Sequence, residues 1–175
     1  EDKILSITQS LGEKIVLQMA QNYYTYRGQE MEAQTFAVGC RVTFSKTVGE
    51  SDIYLFAGIT GDFSPNHVDR EFMRSTAYGR RIAHGSLLIG YASTASTMIL
   101  QTYPSENKNM TAVSLGYDRI RFLKPVFIND TITVNYEIEA IDQEKNRSLS
   151  RIEITNQHGE LVAVATHILK WVANS

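Results

Sequence analysis

The chain predicts an α+β domain. Three features carry this: apolar residues at helical spacing through its first half, a long slender apolar segment near its middle, and four alternating segments suited to an antiparallel sheet in its second half. Residues 1–38 read as a helical extension, with Ser10 or a neighbour capping a helix over Leu11 to Tyr26 and Gly28 stopping it. The main domain, residues 39–175, opens with a strand inside Ala37 to Val48, where Val42 and Phe44 alternate with Thr43 and Ser45. Ser51 is expected to cap a helix through Ile53, Leu55, Phe56 and Ile59, ended by Gly61. Pro65 stiffens the next turn, and Asp69 is suited to cap a short helix holding Phe72 and Met73.

From His84 or Gly85 to Leu100, the residues Leu87, Leu88, Tyr91, Ala95 and Met98 form one broad apolar face. Gly90, Ala92, Ser93 and Ser96 keep the helix slim enough for a sheet or a second subunit to approach closely. Pro104 to Asn109 is a loop. Strands follow over Thr111 to Phe122, Thr131 to Asp142, Ser148 to Gln157 and Leu161 to Trp171, the last two joined at the turn-forming pair His158-Gly159.

A length of 175 residues suits one domain, and a formal net charge of -2 supplies no overall basic field for nucleic acid. The single cysteine, Cys40, rules out an intrachain disulfide framework. Glu1 to Gln9 lacks the basic-then-apolar pattern of a leader, and no apolar run approaches the ~18 residues of a membrane span, so a soluble cytoplasmic protein with no membrane partner is expected. No Gly-x-Gly-x-x-Gly turn follows a strand, which disfavours a dinucleotide enzyme. Asp62, His67, Asp69 and His84 do not form a dense metal-ligand spacing, and no metal is expected.

The chemistry-bearing stretch is Gly61-Asp62-Phe63-Ser64-Pro65-Asn66-His67-Val68-Asp69, followed by Ile82-Ala83-His84-Gly85-Ser86-Leu87. It offers a carboxylate, an imidazole and a helix N-terminus able to hold a developing negative charge. Taken singly, Asp62 reads as an exposed turn acid and His67 as a hydrogen-bonded structural imidazole. Their order together with His84-Gly85 turns that reading toward an active pair.

With Phe122-Leu123-Lys124-Pro125-Val126-Phe127-Ile128-Asn129-Asp130 added, the chain resembles the MaoC-like, R-specific enoyl-CoA hydratases over about Gly39 to Trp171. It departs from the usual pattern at Ser64, commonly Asn, and at Asn66, commonly aliphatic. The resemblance implies a hot-dog fold, an antiparallel sheet wrapped around a long central helix, in a homodimer or dimer-based oligomer acting on an acyl-CoA thioester without a cofactor. It implies that Asp62 and His67 are catalytic and that the Gly85 amide receives the thioester oxygen. Ser93 stands where some relatives carry a supporting serine, though it equally suits an ordinary small core residue. Asn66 and His84 fall beside the substrate, His84 as a local turn or hydrogen-bonding residue. Arg80, Arg81, Arg119, Arg121 and Lys124 are candidates for the coenzyme A phosphates. A dehydratase acting on an acyl carrier protein and a noncatalytic acyl-CoA-binding module are the alternatives.

Overall fold

The computed structural model describes residues 35–174; the helix expected over Leu11 to Tyr26 lies outside them. Five strands form one antiparallel sheet: β1 (Arg41–Thr47), β2 (Met110–Phe122), β3 (Thr131–Asp142), β4 (Arg147–Thr155) and β5 (Leu161–Ala173), in spatial order β1-β3-β4-β5-β2. The helices are α1 (Glu50–Thr60), α2 (Pro65–Val68), α3 (Arg70–Arg74) and α4 (Gly85–Thr102).

Strand alternation sets the core. Because successive side chains point to opposite faces, Ile132, Val134, Tyr136 and Ile138 of β3 share the inward face with Ile152 and Ile154 of β4, and the register pairs Val134 with Ile154 and Tyr136 with Ile152. Phe44 of β1, opposite Val134, joins them. The helix α4 supplies the other half of the core through Leu87, Leu88, Tyr91, Ala92, Ala95 and Ile99, whose spacing places them on one stripe. A sheet curled around one long helix is the hot-dog architecture.

Local details depart from the sequence expectation. The N-cap of α1 is Gly49, whose amide donates to the Asp52 carboxylate at 2.8 Å, so Ser51 lies inside the helix instead of capping it. The buried residues of α1 are Ile53 and Ala57, while Leu55 and Ile59 are 68% and 82% exposed. Among the described residues this helix rests on the domain by a narrow stripe. Asp69 does cap α3, accepting from the Phe72 amide at 2.9 Å. Among the described residues no helix is long and apolar enough to cross a membrane.

The segment before β3 is built around Asp130, whose carboxylate accepts from the Phe127 amide at 2.8 Å and from Gln157 Nε2 at 2.9 Å. Asn129 takes a left-handed conformation (φ 75°) that an Asn tolerates, and its amide donates to the Val48 carbonyl. This turn carries Val126, whose carbonyl accepts from the Ala83 amide at 2.7 Å and so anchors the loop leading into α4.

Candidate active site

Gly61 ends α1 in the left-handed region (φ 77°), its amide bonded to the Ala57 carbonyl at 2.8 Å. The chain therefore leaves the helix sharply and presents Asp62 at once, with its Oδ1 accepting from the Ser64 amide at 3.2 Å. Ser64 and Pro65 then start α2, a single turn that aims His67 inward until it is 8% exposed, whereas Asp62 stays exposed.

Hydrogen bonds fix the tautomer of each histidine. His67 Nδ1 lies 2.8 Å from the Ile82 carbonyl, and a carbonyl only accepts, so Nδ1 carries the proton and Nε2 is left with a lone pair. Asn66 Nδ2 approaches that Nε2 at 3.5 Å, and Asn66 Oδ1 accepts from the Ser64 hydroxyl. By the same reasoning His84 Nε2, 3.0 Å from the Asp62 backbone carbonyl, is protonated, and the buried His84 Nδ1 has no protein partner. The two rings stack at 3.7 Å with 27° between planes, and Phe56 lies against His84 at 4.9 Å.

Asp62, His67 and His84 bring one ligand atom each within 4.8 Å of one another, which raises the question of a metal. The stacking argues against one. An ion is bound in the plane of an imidazole at about 2.0–2.1 Å, and ring planes 3.7 Å apart and inclined by 27° meet well beyond that distance. Moreover, His84 Nε2 is already committed to a carbonyl. The arrangement suits proton transfer, with a carboxylate oxygen and an imidazole nitrogen within 4.8 Å of each other.

Gly85 is the first residue of α4, an 18-residue helix whose opening amides have no intrahelical acceptor. A Cβ placed on it would lie 2.6 Å from the Phe122 ring, so this position admits only glycine without movement of its neighbour. His67, Asn66, Gly85 and Phe122 line a cleft of about 440 Å³ that continues to Lys124. Asp62 is not on that wall; it joins the site through its carbonyl bond to His84.

Among the remaining candidates, Ser93 is exposed on α4, eight residues and therefore about 12 Å along the helix from Gly85. It stands beside Tyr117 and does not line the cleft that holds His67. Arg80 stacks on Phe127 at 3.8 Å and with Lys124 lines an adjoining hollow of about 210 Å³. Arg81 differs from expectation: it is 7% exposed, with its guanidinium on the Glu50 carboxylate and, at 2.8 Å, the Tyr54 hydroxyl. Glu50 is held below the usual carboxylate range mainly by that Arg81 bond. Arg119, in a left-handed conformation (φ 53°), and Arg121, which donates to the Ile120 carbonyl, are exposed on β2 and line neither hollow. Sequence reasoning missed the Phe122 wall and the Ile82 carbonyl; a backbone acceptor leaves no side-chain signal.

Residues 29–160 match the family model described as the MaoC like domain. The chain belongs to the MaoC-like family. The chain is 32% identical over 140 residues to the (R)-specific enoyl-CoA hydratase of Aeromonas caviae, covering 80% of this chain and 98% of that protein. Among solved structures it resembles R-hydratase PhaJ1 from Pseudomonas aeruginosa in its unliganded form, with TM-score 0.66, 28% identity, and coverage of 80% of this chain and 83% of that one. A hot-dog-like protein from Thermanaerovibrio acidaminovorans, 18% identical, shares the fold with TM-score 0.54 over 79% of this chain and 84% of that one. The MaoC-like chain is accordingly an enzyme of the hydratase and dehydratase type, and the family's fold is the one observed.

Proposed function

We propose that this protein reversibly hydrates trans-2-enoyl-CoA to R-3-hydroxyacyl-CoA, with Asp62 and His67 as the catalytic pair and the Gly85 amide as oxyanion donor. The observation that carries the reading is the His67 Nε2 lone pair, fixed by the Ile82 carbonyl, in the same cleft as the α4 N-terminus. A thioester withdraws electrons from its conjugated double bond. As the Asp62-His67 pair removes a proton from water, the oxygen bonds to C3 and the π electrons move through C2 to the thioester oxygen. The Gly85 amide stabilises that oxyanion more than the neutral carbonyl, an effect worth about 3 kcal/mol. The pair then returns a proton to C2, and the net change is addition of one water. The reverse sequence is dehydration, and the two groups act as a coupled unit.

Lys124 lies on both the reaction cleft and the hollow beside Arg80, which favours coenzyme A as carrier, its phosphates resting on these two cations. Arg81 is better read as a structural tie. Two chains are proposed to meet along the edge strand β2, where Val113, Leu115 and Phe122 are exposed, with exposed Leu123 just beyond its end. A second copy covering this edge would close the cleft at Phe122.

The test is hydration of crotonyl-CoA by purified protein, with chiral analysis of the product, alongside Asp62→Asn and His67→Ala made separately. Losses of about 10²–10⁴-fold are expected for each. Full rates in both variants would remove the assigned roles, and release of free coenzyme A would replace hydration by thioester hydrolysis.

A further inference from the structure

Ser64 and Asn66, the two positions at which the chain departs from the usual pattern, are hydrogen-bonded to each other. Both are half-buried, in the short run between Asp62 and His67. The backbone there is pinned from two sides: the Ser64 amide donates to Asp62 Oδ1 at 3.2 Å, and the Asn66 carbonyl accepts from the Ile82 amide at 3.0 Å. The Ser64 hydroxyl meets Asn66 Oδ1, and Asn66 Nδ2 stands 3.5 Å from His67 Nε2.

His67 decides which end of the Asn66 amide faces it. The Nδ1 proton is committed to the Ile82 carbonyl at 2.8 Å, so Nε2 of the neutral ring is an acceptor. An amide oxygen turned toward that lone pair would set acceptor against acceptor. The NH2 group therefore faces His67, Oδ1 faces Ser64, and the Ser64 hydroxyl donates. Ser64 holds the plane of the amide and His67 sets its sense.

A primary amide has two N–H bonds to give, and 3.5 Å is too long for a strong N–H···N bond. Asn66 and His67 both line the cleft that includes Gly85. An oxygen arriving at the His67 lone pair thus finds an amide N–H beside it. With the imidazole alone, such an oxygen donates one hydrogen and stays free to turn about that bond. A second contact, in which it accepts, fixes its direction toward the carbon it attacks. An aliphatic residue at position 66 has no hydrogen to offer.

We propose that Asn66 is a catalytic residue of this site: its Nδ2–H donates to the oxygen that joins C3, while that oxygen's own proton passes to His67 Nε2. Ser64 is the positioning residue that holds the amide for this contact. The inference rests on the hydratase reading above and adds a donor at the reacting oxygen. In hydration the O–H bond breaks toward Nε2 as the O–C3 bond forms, and Asn66 keeps both its protons. In dehydration the same N–H supports the departing oxygen as negative charge collects on it.

The test is crotonyl-CoA hydration by the full chain with Asn66→Leu, Ser64→Ala and the double variant, together with inhibition by butyryl-CoA, which has no oxygen at C3. Asn66→Leu is expected to lower kcat about tenfold or more, while the inhibition constant of butyryl-CoA stays within about twofold. Asn66→Ala takes its place should the leucine variant not fold. Ser64→Ala is expected to cost about threefold alone and nothing further beside Asn66→Leu, because Ser64 acts through the amide. Full kcat in a folded Asn66 variant overturns the proposal, as does a Ser64→Ala loss that persists undiminished in the double variant. A wild type that does not hydrate crotonyl-CoA removes the parent reading, and calorimetry then decides the oxygen contact. Wild type should bind R-3-hydroxybutyryl-CoA severalfold more tightly than butyryl-CoA, and Asn66→Leu should bring the two Kd values together. Equal values in wild type overturn the contact.

Discussion

Gly85→Ala is the substitution for which the structure gives the clearest expectation. The added Cβ would meet three atoms of the Phe122 ring at 2.6, 2.7 and 2.8 Å, where carbon atoms in contact prefer about 3.5–4.0 Å. Something must move by about 1 Å: either the start of α4 or the ring. Phe122 is 52% exposed, so its ring has room to swing, and the melting temperature is expected to change little. Activity has no such freedom. The alanine keeps its backbone N–H, yet a shift of about 1 Å at the proposed oxyanion donor, or a ring pushed into the cleft, is expected to cost about 10²-fold in kcat. The assay is crotonyl-CoA hydration by Gly85→Ala, Phe122→Ala and the double variant. Removing the ring relieves the overlap, so the double variant should be faster than Gly85→Ala alone. Wild-type rates in Gly85→Ala, or a double variant no faster than the single one, would refute the reasoning.

Three further outcomes are expected. His167 is pushed down to about 4 from an ordinary 6.5 by burial, so between those pH values the unfolded chain binds the extra proton and stability rises with pH, by about 3 kcal/mol across the window. Urea unfolding at several pH values should show this slope, and His167→Gln should flatten it. Glu50, with its pKa lowered by Arg81, contributes stability above the unfolded carboxylate value that is lost as the pH falls through its folded value. The melting temperature of wild type should therefore exceed that of Arg81→Met at neutral pH and converge on it in acid. Leu115→Lys places a charge on the exposed β2 edge, and sedimentation should show it moving the protein from dimer to monomer; an active wild type that sediments as a strict monomer removes the dimer.

Period and punctuation made much of the fold legible. The strands after the loop at Pro104 lie within two residues of where alternation puts them, and Gly61, Asp69 and Gly85 end or begin the helices their chemistry suits. What was not legible depends on the third dimension. Leu55 and Ile59 sit on helical spacing with Ile53, yet face outward, because among the described residues the domain packs only against the Ile53 and Ala57 side of α1. Arg81 stands next to Arg80 and looks like the same surface cation, but one is stacked over Phe127 and the other is buried on Glu50, 31 positions earlier. His167 carries no signal in the linear pattern because its partners, Ser114 and Tyr136, come from other strands.

The candidate pair itself illustrates why a linear pattern names residues without supplying their state. Asp62 and His67 are close in the chain, but their geometry is set by the loop before α4. The Ile82 amide donates to the Asn66 carbonyl at 3.0 Å, the Ile82 carbonyl holds His67 Nδ1, and His84 Nε2 holds the Asp62 carbonyl. These three bonds lace the two loops together from both directions. The Ala83 amide then fastens the loop to Val126, one residue beyond Pro125 on the cleft wall. Each link uses at least one backbone group, so a side-chain substitution at Ile82 would leave the His67 tautomer in place, whereas a shift of the whole loop would release it. Arg81 sits inside that loop and ties it to the first turn of α1, the helix that delivers Asp62. Arg81→Met should thus lower kcat through misplacement of both members of the proposed pair while the KM for crotonyl-CoA moves little. A variant that raised KM alone would instead return Arg81 to carrier binding.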